Sequence, residues 1–564
     1  MSNFLYGAKA RSRMLLAALS MVVLTGAGTG VHVERILPPS LAPVVKGREG
    51  CRVLYAFGRG FDESSSCTVV DVVDGSRQNV ETVVLHDSVL ACLVPNAAVD
   101  MRSSKLSIAG HPQPFRLSVD LVAQADPRDD IRPGMNDWIA LQFLRSANVY
   151  GVMSLVDPLD TAALRHLVEA IITHDGKFRK FACVMDPTGA WHPFPIDLNN
   201  HIFDVAMRGG DEEELDAFLH KLAEIPMDYS LPPWQMWVLS SRATSTSTLV
   251  FKASHMISDG TGLVAFLQEL VGEGMSFPGS GGAGVRRASL TTMLANVARD
   301  PLRSMRSLRQ ASSGVVRALQ RMWDSSTSPS KEGFSSGTGF GTRMTSCSAR
   351  VDDLKRIARR LSTEAMYVKL NDVLLGIVGG AIRSAVLEMG NASALDDINM
   401  KCVVPVNLRD PRNAETPLDN DIELVYVPLR VDVADDAERV RAIATVTNDI
   451  KSGIELHMRH FLQRQMMRFP SLVAGQVEKQ FKGLLVAVSN VPGPVDPISV
   501  VGARASAMRF YMTNQERRFV TPIRVSALSY NGTLDVNLLS DDIVDVDQLK
   551  RGFYKSFANL RAGL

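Results

Sequence analysis

The stretch His255-Met256-Ile257-Ser258-Asp259-Gly260 decides how this chain is read. Residues 248–254 before it, Thr-Leu-Val-Phe-Lys-Ala-Ser, read as a strand, and residues 262–271 after it, rich in Leu, Val and Phe, read as a helix. His255 is therefore expected at a strand-to-helix corner. An imidazole there, with an unperturbed pKa of about 6.5, takes a proton from a hydroxyl while that oxygen attacks an acyl carbonyl. Gly260 allows a tight turn, and Asp259 either pairs with a cation or caps the helix. The competing reading is a core histidine beside a helix-capping aspartate.

Further motifs stand in order around this corner. Upstream lies Pro226-Met227-Asp228-Tyr229-Ser230-Leu231-Pro232-Pro233-Trp234. Downstream come Asn371-Asp372-Val373-Leu374-Leu375, Pro405-Val406-Asn407-Leu408-Arg409, Ser489-Asn490-Val491-Pro492-Gly493-Pro494 and Ser529-Tyr530-Asn531-Gly532. Together with the HxxxDG pattern of His255, Asp259 and Gly260, the series resembles the bifunctional wax ester synthase/diacylglycerol acyltransferase family from about Asn136 to the C-terminus. That family's PLDxxxPLW segment has Leu where Met227 and Pro233 stand, and its HHxxxDG opens with a His where Ser254 stands. In the wider superfamily, similar to chloramphenicol acetyltransferase and peptide-synthetase condensation domains, the second His is the base, and that one is kept as His255.

The resemblance implies a mixed α/β (α+β) fold of two chloramphenicol-acetyltransferase-like halves, with a tunnel between them and the HxxxDG corner in its middle. It implies an O-acyltransferase that moves a fatty acyl group from acyl-CoA to a long-chain alcohol, to diacylglycerol, or to both. His255 would act as general base without an acyl-enzyme, and no cofactor is expected beyond acyl-CoA as co-substrate. Asp259 would serve structure through an ion pair with Arg409. Asn371 and Asp372 would hold substrate or shape the site, with helix capping as the alternative for Asn371. Ser489 and Asn490 open a Pro- and Gly-fixed loop that would shape the site through its backbone. Two rivals remain: a catalytically silent lipid-binding membrane protein, and a condensation-type enzyme with another acceptor, for which no carrier domain is evident in the chain.

Composition sets outer bounds. The chain has 564 residues, 46% apolar and 21% charged, so it is globular and long enough for three or four domain-sized units. A formal net charge of +1 argues against a general nucleic-acid binder, and no CxxC pair or HExxH motif gives a zinc signature.

The N-terminal residues 1–35 read as a signal anchor or a cleavable signal peptide. Lys9, Arg11 and Arg13 precede an uncharged stretch, 14–31, which at about 1.5 Å per residue spans roughly 27 Å, near a ~30 Å hydrocarbon core. The lipid ligands implied by the resemblance favour the anchor, with a membrane or lipid-droplet surface at the endoplasmic reticulum or another endomembrane as the expected location; the alternative is a buried N-terminal helix. Basic residues before an anchor put the chain beyond it on the lumenal side, whereas acyl-CoA is expected in the cytosol.

Residues 38–122 show short apolar runs separated by Gly, Asp, Ser and Pro, the pattern of a small β-sandwich. With Gly58-Arg59-Gly60-Phe61, Cys51, Cys67, Cys92 and Pro95, it resembles the immunoglobulin-like IPT/TIG domain, and two of its three cysteines are able to pair. The N-terminal acyltransferase half is assigned to 131–273 and the C-terminal half to 346–564. Between them, 274–345 is a Gly- and Ser-rich linker around a basic amphipathic helix with eight arginines, from Arg286 to Arg321, and one acid, Asp300. That helix lies either on an anionic membrane or across the enzyme's own surface. Helical spacing is expected over 159–173, 211–222 and 370–388, and a tight hairpin at Asn531-Gly532. His166, His174, His192 and His201 are assigned to structure.

Overall fold

The computed structural model describes Ile131 and, apart from short breaks, residues 31–38, 51–116, 147–272, 342–407, 418–452 and 484–563. The expected anchor or signal segment within 1–30, the basic helix expected in the linker and Arg409 lie outside the described residues.

Alternating short runs between turn residues build the N-terminal β-sandwich from β1 (His32–Leu37), β2 (Cys51–Arg59), β3 (Cys67–Asp71), β4 (Arg77–His86), β5 (Val89–Pro95), β6 (Ser104–Ile108) and β7 (Phe115–Arg116). Strand order is β1-β2-β5-β4-β3-β6-β7, with β4 shared: Arg77 to Val80 pair with β3, and residues from Glu81 onward with β5. One strand serving two sheets folds the ladder over a dry interior of Leu54, Ala56, Val69, Leu90, Val94, Leu106 and Ile108, closed by a Cys67–Cys92 disulfide. The sequence boundary needs correcting here. His32 to Leu37 pair with Tyr55 to Arg59, so residues 32–35 are a strand of the sandwich and not the end of the N-terminal segment.

Two mixed sheets come next. The first uses β8 (Ala147–Leu155), α1 (Thr161–Thr173), the hairpin β9 (Cys183–Met185) and β10 (Trp191–Pro193), β11 (Ile202–Met207), α2 (Glu212–Glu224), β12 (Trp234–Ser241), β13 (Thr246–Ser254) and α3 (Gly260–Val271). The second uses β14 (Thr342–Arg350), α4 (Val351–Leu361), α5 (Leu370–Glu388), β15 (Lys401–Asn407), β16 (Ile422–Pro428), α6 (Asp436–Ser452) and β17 (Val486–Val491). It is completed by β20 (Ile523–Tyr530), β21 (Thr533–Asp541) and α7 (Val546–Ala562), in the order β14-β21-β20-β17-β15-β16. Asn531 and Gly532 both have positive φ, 43° and 78°, the two-residue turn that matches strand twist in the β20–β21 hairpin. Helix α5 is apolar enough to cross a membrane, yet 72% of its apolar window is buried in the second core, beneath α6 and α7.

The two halves are not independent, which corrects the division at 346. Strand β14 already starts at Thr342, and β18 (Ser499–Val500) with β19 (Ala503–Asn514) leaves the second half to join the first sheet, whose order is β11-β12-β13-β8-β19-β18. Nine residues of β8 pair with β19, from Ala147 opposite Asn514 to Leu155 opposite Ala505. At this seam the Tyr150 and Tyr511 rings stack with centroids 4.7 Å apart. The buried Lys252 ammonium lies 5.7 Å over Tyr150 and donates to the Leu222 and Ile225 carbonyls at the end of α2, at 3.2 and 2.6 Å.

Both faces of the first sheet are covered. Helices α1 and α3 pack on one face through Leu164, Val168, Phe266 and Leu270, against Met236, Val238 and Leu249. The other face, with Phe203, Trp237 and Val250, takes α2 and the sandwich residues Val53, Tyr55 and Phe57.

Candidate active site

The strand-corner-helix reading of the opening stretch holds in detail. Strand β13 ends at Ser254, His255 opens a short turn through Ile257, and α3 starts at Gly260 with Asp259 as its N-cap. Asp259 Oδ1 accepts the amides of Thr261 and Gly262 at 2.9 and 3.1 Å, which satisfies two otherwise unbonded donors of the first turn. The sequence left capping and cation pairing open; capping is what these contacts supply, and the Arg409 partner falls outside the described residues.

His255 is held by its backbone. Its N–H donates to the Ala147 carbonyl at 2.9 Å, extending the β13–β8 ladder by one bond. The imidazole is buried, and its Nδ1 has no hydrogen-bond partner among the described residues. Burial pushes the pKa below its ordinary value, against the opposing pull of the Asp259 carboxylate and the residue's own backbone. Burial thus favours the neutral ring, and no described group occupies its Nδ1.

Gly260 sits at a close approach. A Cβ there would come within 3.0 Å of Val491 Cγ2, so the corner touches the end of β17, in the other half of the molecule. Beside Val491, the Asn490 side-chain amide donates to Asn371 Oδ1 at 2.6 Å. Asn371 therefore does not cap α5. Asp372 does that work: fully buried, it accepts the Lys369 N–H at 2.8 Å and the Thr447 hydroxyl at 2.7 Å. Ser489 lies in β17 opposite Ser526. The loop after it is tied to the late strand motif, since Gly493 N–H donates to Ser529 Oγ at 3.2 Å and Asn531 N–H to the Pro494 carbonyl at 3.1 Å. Sequence motifs far apart in the chain thus meet on one wall.

Sequence reasoning left three participants out of the site. Val491 and Tyr229 were within quoted motifs but carry no chemistry that marks them alone. Ser254, noted as a departure, bonds the Tyr229 hydroxyl at 2.9 Å. His201 is a structural residue, as expected: its Nδ1 bonds the Trp234 carbonyl at 2.8 Å, it stacks on that indole, and burial lowers its pKa to about 4. Among the described residues no group of three or more His, Cys, Asp or Glu is placed to hold a metal ion.

The buried histidine corner of the first half thus faces the end of β17 in the second, and comparisons with known proteins say which family the chain belongs to. The sequence model of the wax ester synthase/diacylglycerol acyltransferase catalytic domain matches residues 185–374, and that of the family's C-terminal domain matches 418–561, together more than half of the chain. A probable diacylglycerol O-acyltransferase of Mycobacterium tuberculosis is 24% identical over 386 residues, covering 65% of this chain and 80% of that protein. A putative diacylglycerol O-acyltransferase of Mycobacterium bovis matches to the same extent. Among solved structures, the wax ester synthase/diacylglycerol acyltransferase of Marinobacter aquaeolei VT8 is 15% identical, with TM-score 0.48 over 78% of this chain and 100% of that one. The chain belongs to the wax ester synthase/diacylglycerol acyltransferase family and is an acyltransferase.

Proposed function

We propose that the chain moves a fatty acyl group from acyl-CoA to the hydroxyl of diacylglycerol or a long-chain alcohol, with His255 as general base. The observation that carries this reading is the buried imidazole, its Nδ1 unbonded among the described residues, at a corner in contact with the opposite half. His255 takes the hydroxyl proton as that oxygen attacks the thioester carbonyl. The carbon–sulfur bond then breaks, and the proton passes from the imidazolium to the departing thiolate. No acyl-enzyme forms. Asn371 and Asn490 hold the facing wall, and Asp259 keeps the corner rigid.

Long-chain alcohol and diacylglycerol each present one hydroxyl on an apolar body, so a pocket that holds the apolar body discriminates poorly between them. The test supplies labelled palmitoyl-CoA with either acceptor to the full-length protein. Truncation at residue 35 is unsuitable, because it would cut β1. A positioned base contributes about 10² to 10⁴ in rate, so His255→Ala is expected to lose at least that in kcat. Product made at undiminished rate by the variant would remove His255 from the chemistry, and no product from the folded wild type with either acceptor would leave the silent lipid-binding reading.

For location, the uncharged N-terminal stretch with its basic flank supports a membrane anchor at an endomembrane or lipid droplet. The Cys67–Cys92 disulfide supports an oxidising, lumenal setting for the sandwich. The strand shared between two sheets supports the likeness to an immunoglobulin-type IPT/TIG module.

A further inference from the structure

We infer that a hydrogen-bonded strap, Val53 to Asp228 to Tyr229 to Ser254, makes the N-terminal sandwich a positioning part of the acyl-transfer site. The inference rests on the reading of His255 as the base. Its first link lies where the described β1–β2 pairing ends. The β1–β2 ladder stops at Leu37 opposite Tyr55, and the Val53 N–H beyond it donates to Asp228 Oδ2 at 3.2 Å. The other carboxylate oxygen accepts the Ser230 N–H and hydroxyl at 2.8 and 2.6 Å, while the Asp228 charge acts on the neighbouring buried Arg52. Asp228 is therefore fixed from both sides, by the sandwich and by its own loop.

The next residue carries the link into the site. The Tyr229 hydroxyl bonds Ser254 Oγ at 2.9 Å, and the same Oγ accepts the Met256 N–H at 3.2 Å. The Ser254 N–H donates to the Pro233 carbonyl at 2.9 Å, and its carbonyl accepts the Ile257 N–H at 3.0 Å. His255 thus follows a residue whose backbone and side chain are both tied to the Asp228 loop, and precedes Met256, whose N–H is held by that same Ser254 hydroxyl. Ser254 is fully buried and has this use of its own at the position where a second histidine would otherwise stand.

The effect expected is on catalysis more than on binding, since misplacing a reacting group by ~1 Å costs up to ~100-fold in rate. In full-length protein with palmitoyl-CoA, Tyr229→Phe, Ser254→Ala and Asp228→Asn are each expected to lower kcat about tenfold with little change in KM. The Tyr229→Phe/Ser254→Ala double variant should be no slower than the worse single variant, because the strap is one chain of contacts. Ser254→Thr, which keeps the hydroxyl, should recover most of the rate. Wild-type kcat in Tyr229→Phe while His255→Ala is inactive would overturn the strap alone, as would losses that multiply in the double variant or that fall entirely on KM. Full activity in His255→Ala would overturn the base reading, and the strap with it.

Discussion

At His255 the decisive property is desolvation. A base with its pKa held below the ordinary 6.5 remains unprotonated further into acid, so kcat/KM is expected to stay flat from pH 7.5 through 6.5 and to fall only below that. The Asp259 charge opposes this lowering, so Asp259→Asn should shift the acid limb to still lower pH while keeping a capping oxygen. A limb that moves upward in this variant would contradict the assignment. At Gly260 the issue is space: Gly260→Ala puts a methyl 3.0 Å from Val491 and should cut activity more than it shifts Tm. The corner was legible because strand, motif and helix are adjacent in sequence and all local. The Tyr229–Ser254 bond was not, because nothing in the sequence separating the two, 25 positions apart, says which hydroxyl a serine will meet.

Among the elements, β11 and β12 show how register is fixed. They run parallel, with Phe203 opposite Trp237, and His201 at the start of β11 bonds β12 through both backbone and ring: its carbonyl accepts Met236 N–H at 2.7 Å and its ring bonds the Trp234 carbonyl. Its folded pKa of about 4 lies below the ordinary 6.5, so the unfolded chain binds an extra proton between those values. Stability at this site is complete above pH 6.5 and is lost as pH falls toward 4, by at most about 3 kcal/mol. Urea midpoints at pH 7 and 4.5 should therefore differ less in His201→Gln than in wild type; equal differences would refute the assignment. Burial on both faces of this sheet was partly legible. The run Trp234-Gln235-Met236-Trp237-Val238-Leu239 lacks a polar face, the mark of a strand covered from both sides. What covers it was not: β2 and β5 are also apolar on both faces, yet nothing in the sequence says that their outer face, with Val53, Tyr55 and Phe57, meets this sheet.

For the molecule as a whole, the sandwich is docked through its apolar centre more than its charged rim. Tyr55 and Trp237 meet edge to face at 5.0 Å, the Phe57 and Phe203 rings lie tilted at 5.6 Å, and Tyr55 donates its hydroxyl to Gln235 Oε1 at 3.1 Å. Around them stand the ion pairs Arg208 with Asp87 and Lys221 with Glu63, of a kind worth up to about 1 kcal/mol each when exposed, and a hydrogen bond between His86 Nε2 and Glu214 Oε1 at 3.1 Å. Tyr55→Ala is therefore expected to destabilise the whole enzyme by about 3–5 kcal/mol, and Glu63→Gln by less than about 1, read as shifts in a single shared melting transition. Two separate transitions in the wild type would show that the sandwich is an independent appendage.

The strand exchange between halves also sets a timetable for making the protein. One edge of β8 is completed only by β19, and roughly 350 residues separate Leu155 from Ala503. At about 5–20 residues per second, a ribosome leaves that edge bare for roughly 20–70 s. Throughout that interval the nascent first sheet offers unpaired amides and carbonyls beside Tyr150 and Val152, a template for aggregation unless something shields it. Cells expressing this chain thus face a shielding requirement early in synthesis, and slowing translation after residue 155 should lower the yield of soluble protein.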